Sequence, residues 1–407
     1  MSELTLVVLS DIHAHDHTDD TYVDLAPATA SRTLHPLVDL VEHIQDNAIR
    51  ADYLILPGDL ANKAHSGGLA YVWQQARHVA RLLGAEIVAV PGNHDVITHD
   101  AAPDPRGPLK ALMPTFPTQD PAADEEFWAT GWLVIERADH RFLLIDSTYD
   151  FPDFPTDPTD PAVWSEYASA LNRGGFSEHQ EQGIESYLRG ANRKLNIAVV
   201  HHHPMEHQLR HQFQDTYGPM RRGGELVDLL TRHRGAGRWL VIHGHKHVPQ
   251  LASAVATSAN GPVMLCAASV GAQIWPPLNT VARNQFHLVR VRDDNPGGLG
   301  YLLGQVQSAM WCIGEGWLPP PPRGAGLPRL TGFGCIVDHR NLAARCRDEI
   351  ERKGADFMEM SELVQRVPEL QYIAPRDFEH LETEIASLML EFTRSRDEEI
   401  RLLAKRA

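Results

Sequence analysis

The sequence predicts an α/β protein of layered sheets and helices with a mainly helical C-terminal appendage. Three observations carry that prediction. Short runs of Val, Ile and Leu recur through the first three quarters of the chain, and amphipathic stretches separate the early ones. A proline run after residue 317 then introduces a segment of different composition. Strands that alternate with helices are the pattern of layered α/β architecture.

The apolar runs are Leu4–Leu9, Tyr53–Leu56, Ile87–Val90, Phe142–Ile145, Ile197–Val200, Trp239–Ile242, Val263–Cys266 and Phe286–Val291. Each is too short for a helix, and several are continuous, as in strands buried on both faces. Thr33–Arg50 places Leu34, Leu37, Val38, Val41 and Ile44 on one helical face; Gly68–Leu83, Glu178–Leu188 and Glu225–His233 read similarly. His99–Asp124 and Tyr149–Asp160 are rich in Pro and Asp and are expected as surface loops.

Leu318 and the four prolines after it suit a stiff spacer. The expected organisation is therefore a domain over 1–317, a linker over 318–323 and an extension over 324–407. Within the extension, Phe378, Leu381, Ile385, Leu388 and Phe392 follow a heptad-like spacing. Such a seam docks on the main domain or, less favoured, on a second chain.

The net charge of −16 divides into −13 on residues 1–323 and −3 on the remainder. A protein that coats nucleic acid needs a basic face, so that class is disfavoured. Cys266, Cys312, Cys335 and Cys346 are scattered and read as buried thiols of a reduced compartment. The first ten residues lack a signal-peptide pattern, and no run of about 18 apolar residues occurs. A cytoplasmic protein with no membrane partner is expected.

Histidine is the outlier. Of 23, thirteen fall into four clusters: His13, His15 and His17; His94 and His99; His201, His202, His203, His207 and His211; and His243, His245 and His247. Each cluster follows an apolar run. In open α/β sheets ligands bind beyond the carboxyl ends of the strands, so the clusters should converge on one edge. The remaining ten, such as His43 and His78, are expected at helix surfaces or in the core.

Five blocks stand at strand ends in order: Asp11-Ile12-His13, Gly58-Asp59, Gly92-Asn93-His94-Asp95, His201-His202-His203-Pro204 and Gly244-His245-Lys246-His247. The chain thereby resembles the calcineurin-like metallophosphoesterase superfamily, whose blocks read DxH, GD, GNHD, H and GHxH. Gly58-Asp59-Leu60-Ala61-Asn62 and the His-His-x-Pro form of the fourth block are most similar to its class III cyclic-nucleotide phosphodiesterase branch. The resemblance implies an αββα-type core of mixed β-sheets flanked by helices.

It also implies two divalent metal ions. Asp11, His13 and His247 would hold the first, Asp59 would bridge, and Asn93, His201 and His245 would complete the second. His202 is the alternative to His201, and His243 would support a ligand rather than bind. Mixed carboxylate, amide and imidazole donors suit Mn, Fe, Zn or Co. Two ions about 3.5–4 Å apart activate a bridging water and clamp an in-line displacement at phosphorus. His94 would stabilise charge and protonate the leaving alkoxide. Asp95 either orients His94 or caps its loop, and His15 either lines the substrate phosphate or lies exposed. Gly58, Gly92 and Gly244 would permit tight turns or close backbone approach.

The reaction implied is hydrolysis of a phosphodiester in a cyclic nucleotide or other small nucleotide. Alternatives are a metallonuclease of the same superfamily, with nucleic acid as substrate, and a non-catalytic scaffold that associates through the extension. A strand ending in His-x-His also opens an amidohydrolase site, which leaves the third and fifth blocks unexplained.

Overall fold

The computed structural model describes residues 3–16, 20–25, 32–211, 217–254, 261–293, 302–321, 324–335, 338–394 and 400–405. β1 (Glu3–Val8), α1 (Pro36–Asp46), β2 (Tyr53–Leu56), α2 (Ser66–Leu83) and β3 (Glu86–Ala89) open the chain as a βαβαβ unit. α3 (Gly107–Lys110), α4 (Pro121–Thr130), β4 (Trp132–Glu136), β5 (His140–Ile145), α5 (Pro161–Arg173) and α6 (Glu178–Arg189) follow. Next come β6 (Leu195–Val200), α7 (Gly223–Arg232), β7 (Trp239–His243), β8 (Gln250–Ser253) and β9 (Val263–Cys266). β10 (Gln285–Arg292), β11 (Leu303–Cys312), β12 (Gly316–Leu318) and β13 (Leu330–Phe333) complete the strands of this region.

Two mixed sheets result. The first has the order β12-β11-β10-β1-β2-β3, with β13 also paired to β11; the second has the order β4-β5-β6-β7-β9-β8. β1, β2 and β3 are parallel, as are β5, β6, β7 and β9. Leu6, Val8, Ile55 and Val88 of the first sheet pack against Phe142, Leu144, Ile197 and Ile242 of the second. The alternate residues Val7, Leu54 and Ile87 face Leu40, Ile44, Val72 and Trp73 of α1 and α2. Leu143, Ala198 and Val241 face Ile184, Leu188, Leu226 and Leu230 of α6 and α7. This is the expected αββα layering, and it explains the continuous apolar runs: both faces of each central strand are covered.

All eight expected strands form, within two residues of the bounds read from the sequence. The first helix begins at Pro36 rather than Thr33, because the proline disfavours helical geometry at His35 and supplies a preset N1 residue. His35 Nδ1 accepts the Val38 N–H at 3.3 Å and caps it. The stretch 99–124 is not simply a surface loop. Leu109, Leu112 and Phe116 are buried in the α1–α2 layer, and the Trp73 indole donates to the Pro114 carbonyl at 2.7 Å.

Beyond the proline run, β13 pairs antiparallel with β11. Then come α8 (His339–Lys353), β14 (Phe357–Glu359), α9 (Met360–Arg366), α10 (Pro375–Ser387), β15 (Leu390–Arg394) and β16 (Ile400–Lys405). The three helices pack on a small sheet of order β14-β16-β15, with Leu342, Cys346, Ile350, Leu363, Leu381, Ile385 and Leu403 in their own core. The heptad-like seam is therefore corrected. Leu381 and Ile385 are fully buried inside this unit, Phe378 and Leu388 pack beside them, and Phe392 belongs to β15. The apolar seam serves the unit's own core rather than docking on the main domain.

The four cysteines are free thiols; Cys266, Cys335 and Cys346 are buried and Cys312 is half-buried. Among the described residues no helix is long and apolar enough to cross a membrane.

Candidate metal centre

β1, β2 and β3 from one sheet and β6 and β7 from the other all release their chains at the same edge of the sandwich. The segments leaving them carry, in turn, Asp11 and His13; Asp59; Asn93 and His94; His201; and His245 and His247. The expected convergence on one edge is thus made by two sheets rather than one. Backbone hydrogen bonds stitch the segments together: Asp11 N–H to Gly58 O at 3.2 Å, Ile12 N–H to Asp59 O at 2.8 Å and Gly244 N–H to His201 O at 3.1 Å.

Asp11, His13, Asp59, His245 and His247 have positive φ, between 50° and 75°. Non-glycine residues rarely occupy that region, and it persists only where the surroundings hold it. Five of the seven expected ligands adopt it, which marks the edge as a strained, preorganised site. The motif glycines explain how the segments fit. A Cβ at Gly92 would stand 2.1 Å from Asp59 Oδ1, and one at Gly244 would stand 2.4 Å from Asp11 Oδ2.

One group of donors comprises Asp11, His13, Asp59 and His247. His13 Nε2 lies 3.1 Å from His247 Nε2 and 3.5 Å from Asp59 Oδ2, while His247 Nε2 lies 3.3 Å from Asp11 Oδ1. The second group surrounds Asn93 Oδ1, which stands 3.1 Å from both His201 Nε2 and His245 Nδ1. Asp59 Oδ2 is 3.3 Å from His201 Nε2, so one carboxylate oxygen faces both groups. Donors on arms of about 2.0–2.2 Å around a shared ion stand roughly 3–3.5 Å apart, so these spacings fit metal ligation.

His201 and His202 differ in what their nitrogens already do. His201 Nδ1–H donates to the Pro57 carbonyl at 2.8 Å, leaving Nε2 directed at the donors. His202 Nε2–H donates to Leu171 O at 3.0 Å, and its Nδ1 accepts from the Ser147 hydroxyl at 2.7 Å. Although His202 lies close enough to be grouped with His201 and His245, both its nitrogens are engaged. His201 keeps its Nε2 among the donors, facing Asn93 Oδ1 and Asp59 Oδ2.

The electrostatics suit neutral ligands, which metal binding requires. Burial pushes His13 down to about 3 and holds His245 well below its ordinary value. Burial lowers His94 too. For Asp59, burial opposes ionisation, but His201, His94 and His13 together hold the carboxyl well below the usual range. Asp11 is likewise lowered, against its burial, by His247 and His201. His201 is the exception: the Asp59 charge overcomes burial and raises it to about 9. An ion there must displace a proton.

His94 lies at the same edge, its ring centroid 4.7 Å from that of His13. Its N–H donates to Asp59 Oδ1 at 2.8 Å, and its Nδ1–H donates to Asn62 Oδ1 at 2.8 Å. Asn62 was missed as a site residue, although it ends the Gly58–Asn62 motif; only the fold shows that three residues past Asp59 reach His94. Asp95 does not orient His94. Its carboxylate accepts from Ala61 N–H at 3.0 Å and Gly92 N–H at 2.9 Å, capping the loop.

Several clustered histidines stay outside the two groups. His99 is exposed, and His207 is buried with Nε2–H donating to Val248 O at 2.9 Å. His243 Nδ1–H faces Gly244 O at 3.2 Å. His15 pairs with Asp16 at 2.9 Å and packs against the His65 ring, while His17 lies outside the described residues.

Fold and site define a sandwich-type phosphoesterase with the donors for a pair of metal ions. The Calcineurin-like phosphoesterase family model matches residues 4–249, and the chain belongs to that family. A second family model, wHTH-Calcineurin_assc, matches residues 331–387. Among solved structures, the chain is similar to a dimetal phosphatase from Danio rerio at 15% identity and a TM-score of 0.51, covering 77% of this chain and 98% of that one. It is also similar to the purple acid phosphatase PPD1 of yellow lupin, Lupinus luteus, at 13% identity and a TM-score of 0.45, covering 76% and 52%. A 5'-nucleotidase precursor from Thermus thermophilus matches at 16% identity and a TM-score of 0.36, covering 76% and 55%. No curated protein matches the chain. At these identities the likeness is one of fold.

Proposed function

We propose that this chain is a dinuclear metal-dependent phosphodiesterase acting on a cyclic nucleotide or other small nucleotide. The observation that carries the reading is the shared carboxylate: Asp59 Oδ2 lies 3.5 Å from His13 Nε2 and 3.3 Å from His201 Nε2. Asp11, His13 and His247 would hold one ion, Asn93, His201 and His245 the other, with Asp59 between them. Mn, Fe, Zn or Co suits these mixed donors. When bound, such ions lower the pKa of a water and neutralise phosphoryl charge.

The chain's own residues supply the rest. His201 Nδ1–H on the Pro57 carbonyl fixes the ring so that Nε2 points at the donors. Asp11 is held by the His245 N–H at 3.0 Å and by the Ser10 hydroxyl. His94, anchored by Asn62, presents Nε2 to the site and delivers a proton to the leaving alkoxide. That role is what a diester demands, because an alkoxide is a poor leaving group.

The test is a metal-supplemented panel of phosphomonoesters, cyclic nucleotides, dinucleotides, glycerophosphodiesters and DNA. Metal-dependent diester cleavage, abolished in Asp59→Ala, is expected; activity confined to monoesters overturns the diester assignment. The winged-helix family match favours one second reading, a nuclease, since helix-turn-helix units dock in DNA grooves. The charge of −3 on residues 324–407 weighs against it. Cleavage of DNA or RNA that is lost in His94→Ala would support the nuclease.

A further inference from the structure

We infer that the C-terminal unit holds its own site for one transition-metal cation of the zinc class, formed by His339, Asp377 and His380. The three lie far in sequence from the donors between the sheets. His339 is the first residue of α8, and Asp377 and His380 stand three apart on α10, a spacing that puts both on one helical face. Each offers one donor atom, and the three atoms lie within 4.8 Å of one another.

The separations fit a shared ion better than direct pairing. His339 Nε2 is 3.7 Å from Asp377 Oδ1, beyond the roughly 2.7–3.2 Å of a hydrogen bond. The same Nε2 is shielded from solvent and has no hydrogen-bond partner. Two ligand arms of about 2.1 Å span 3.7 Å at an angle near 124°, within reach of a distorted tetrahedron. The longest separation exceeds the maximum span of such arms by at most about 0.6 Å, which side-chain rotation closes. The His339 and His380 rings lie 5.4 Å apart and near perpendicular, so neither blocks the other.

Two imidazoles and one carboxylate favour Zn, Co or Ni over Mg or Ca. With three protein donors, a water completes the shell on the exposed His380 side. The ion would sit at the first turns of two helices, where the dipoles disfavour a cation. Asp377 and the α8 cap Asp338 bring negative charge to the same place. Its effect would be a staple, joining the start of α8 to α10 one turn before the buried residues Leu381 and Ile385.

The test uses the full chain dialysed against Zn2+ and analysed for zinc. Wild type should retain one more zinc per chain than His380→Ala or Asp377→Asn, and Zn2+ should slow amide exchange across α8 and α10 in wild type alone. Equal zinc content in wild type and variants, or exchange that Zn2+ leaves unchanged, overturns the inference. His380 is exposed, so its replacement removes no core contact. The readout is a difference between proteins identical over residues 11–247, so it stands apart from how many ions the centre between the sheets holds.

Discussion

Replacing Asn62 with Leu isolates the contribution of one hydrogen bond to catalysis. The side chain is 6% exposed, and its Oδ1 accepts the His94 Nδ1–H at 2.8 Å. The second anchor of His94, its backbone N–H on Asp59 Oδ1 at 2.8 Å, would survive. The ring should therefore lose its orientation and tautomer while its Cα stays in place. A net hydrogen bond of this kind contributes about 0.5–1.5 kcal/mol, up to about 3 when one partner is charged. Because His94 acts protonated, a loss near 1.4 kcal/mol, or about tenfold in kcat, is expected. Asn62→Asp restores an acceptor and adds a charge that favours protonated His94. Burial, helped by His247 and His201, holds this imidazole down against the Asp59 charge, so an added carboxylate should move the basic limb of the pH–rate profile to higher pH. The assay is kcat against pH on 3′,5′-cyclic AMP, whose leaving group is an alkoxide, with saturating metal. Wild-type kcat in Asn62→Leu, or an Asn62→Asp profile superimposable on that of Asn62→Leu, would refute the reasoning.

Three other outcomes follow from the geometry. Gly92→Ala places a Cβ 2.1 Å from Asp59 Oδ1; displacing that carboxylate should cut metal retention by at least about tenfold, the usual penalty for disturbing a ligand's support, read by elemental analysis. His287 is fully buried, accepting the Ala268 N–H at 3.3 Å and donating to Ser308 Oγ at 2.9 Å, and burial pushes it down to about 3. Its folded value is below its unfolded one, so the stability it confers is complete above about pH 6.5 and is lost as pH falls toward 3. That is about 1.4 kcal/mol per unit, and denaturant melts of His287→Gln should show a shallower acid dependence than wild type. Leu381→Ala should destabilise the C-terminal unit by about 2–5 kcal/mol without changing the mass measured by light scattering, because Leu381 is a core residue.

The layered fold was legible because central strands covered on both faces must be continuously apolar, as Tyr53–Leu56 and Val263–Cys266 are. β11 was not, since Leu303–Cys312 mixes Gly, Gln and Ser into a partly exposed strand. β4 and β8 lie at the edges of their sheet, where half the pattern is relaxed. At the centre, the blocks that converge were readable because residues able to hold a metal are few in kind and here sit at strand ends. The partners that orient the histidines around them were not. Pro57 O, Asn62 and Ser147 contribute a carbonyl, an amide and a hydroxyl, groups too common for spacing to single out. The helical seam misled for a related reason: an apolar stripe reports that something covers it, not which element does. Leu388 and Phe392 continued the period, although α10 ends at Ser387 and Phe392 already stands in β15.

His13 and His247 meet at 3.1 Å although 234 residues separate them. Closing a loop of that length costs an unfolded chain about 5 kcal/mol of entropy. Four of the donors, from Asp11 to Asn93, follow strands of the first sheet, and the other three, from His201 to His247, follow strands of the second. An emerging polypeptide therefore owns no complete set until residue 247 has been synthesised and the two sheets have met. An ion held by all seven side chains would bind only a chain that has already folded, and it would then act as a rivet between the two sheets of the sandwich.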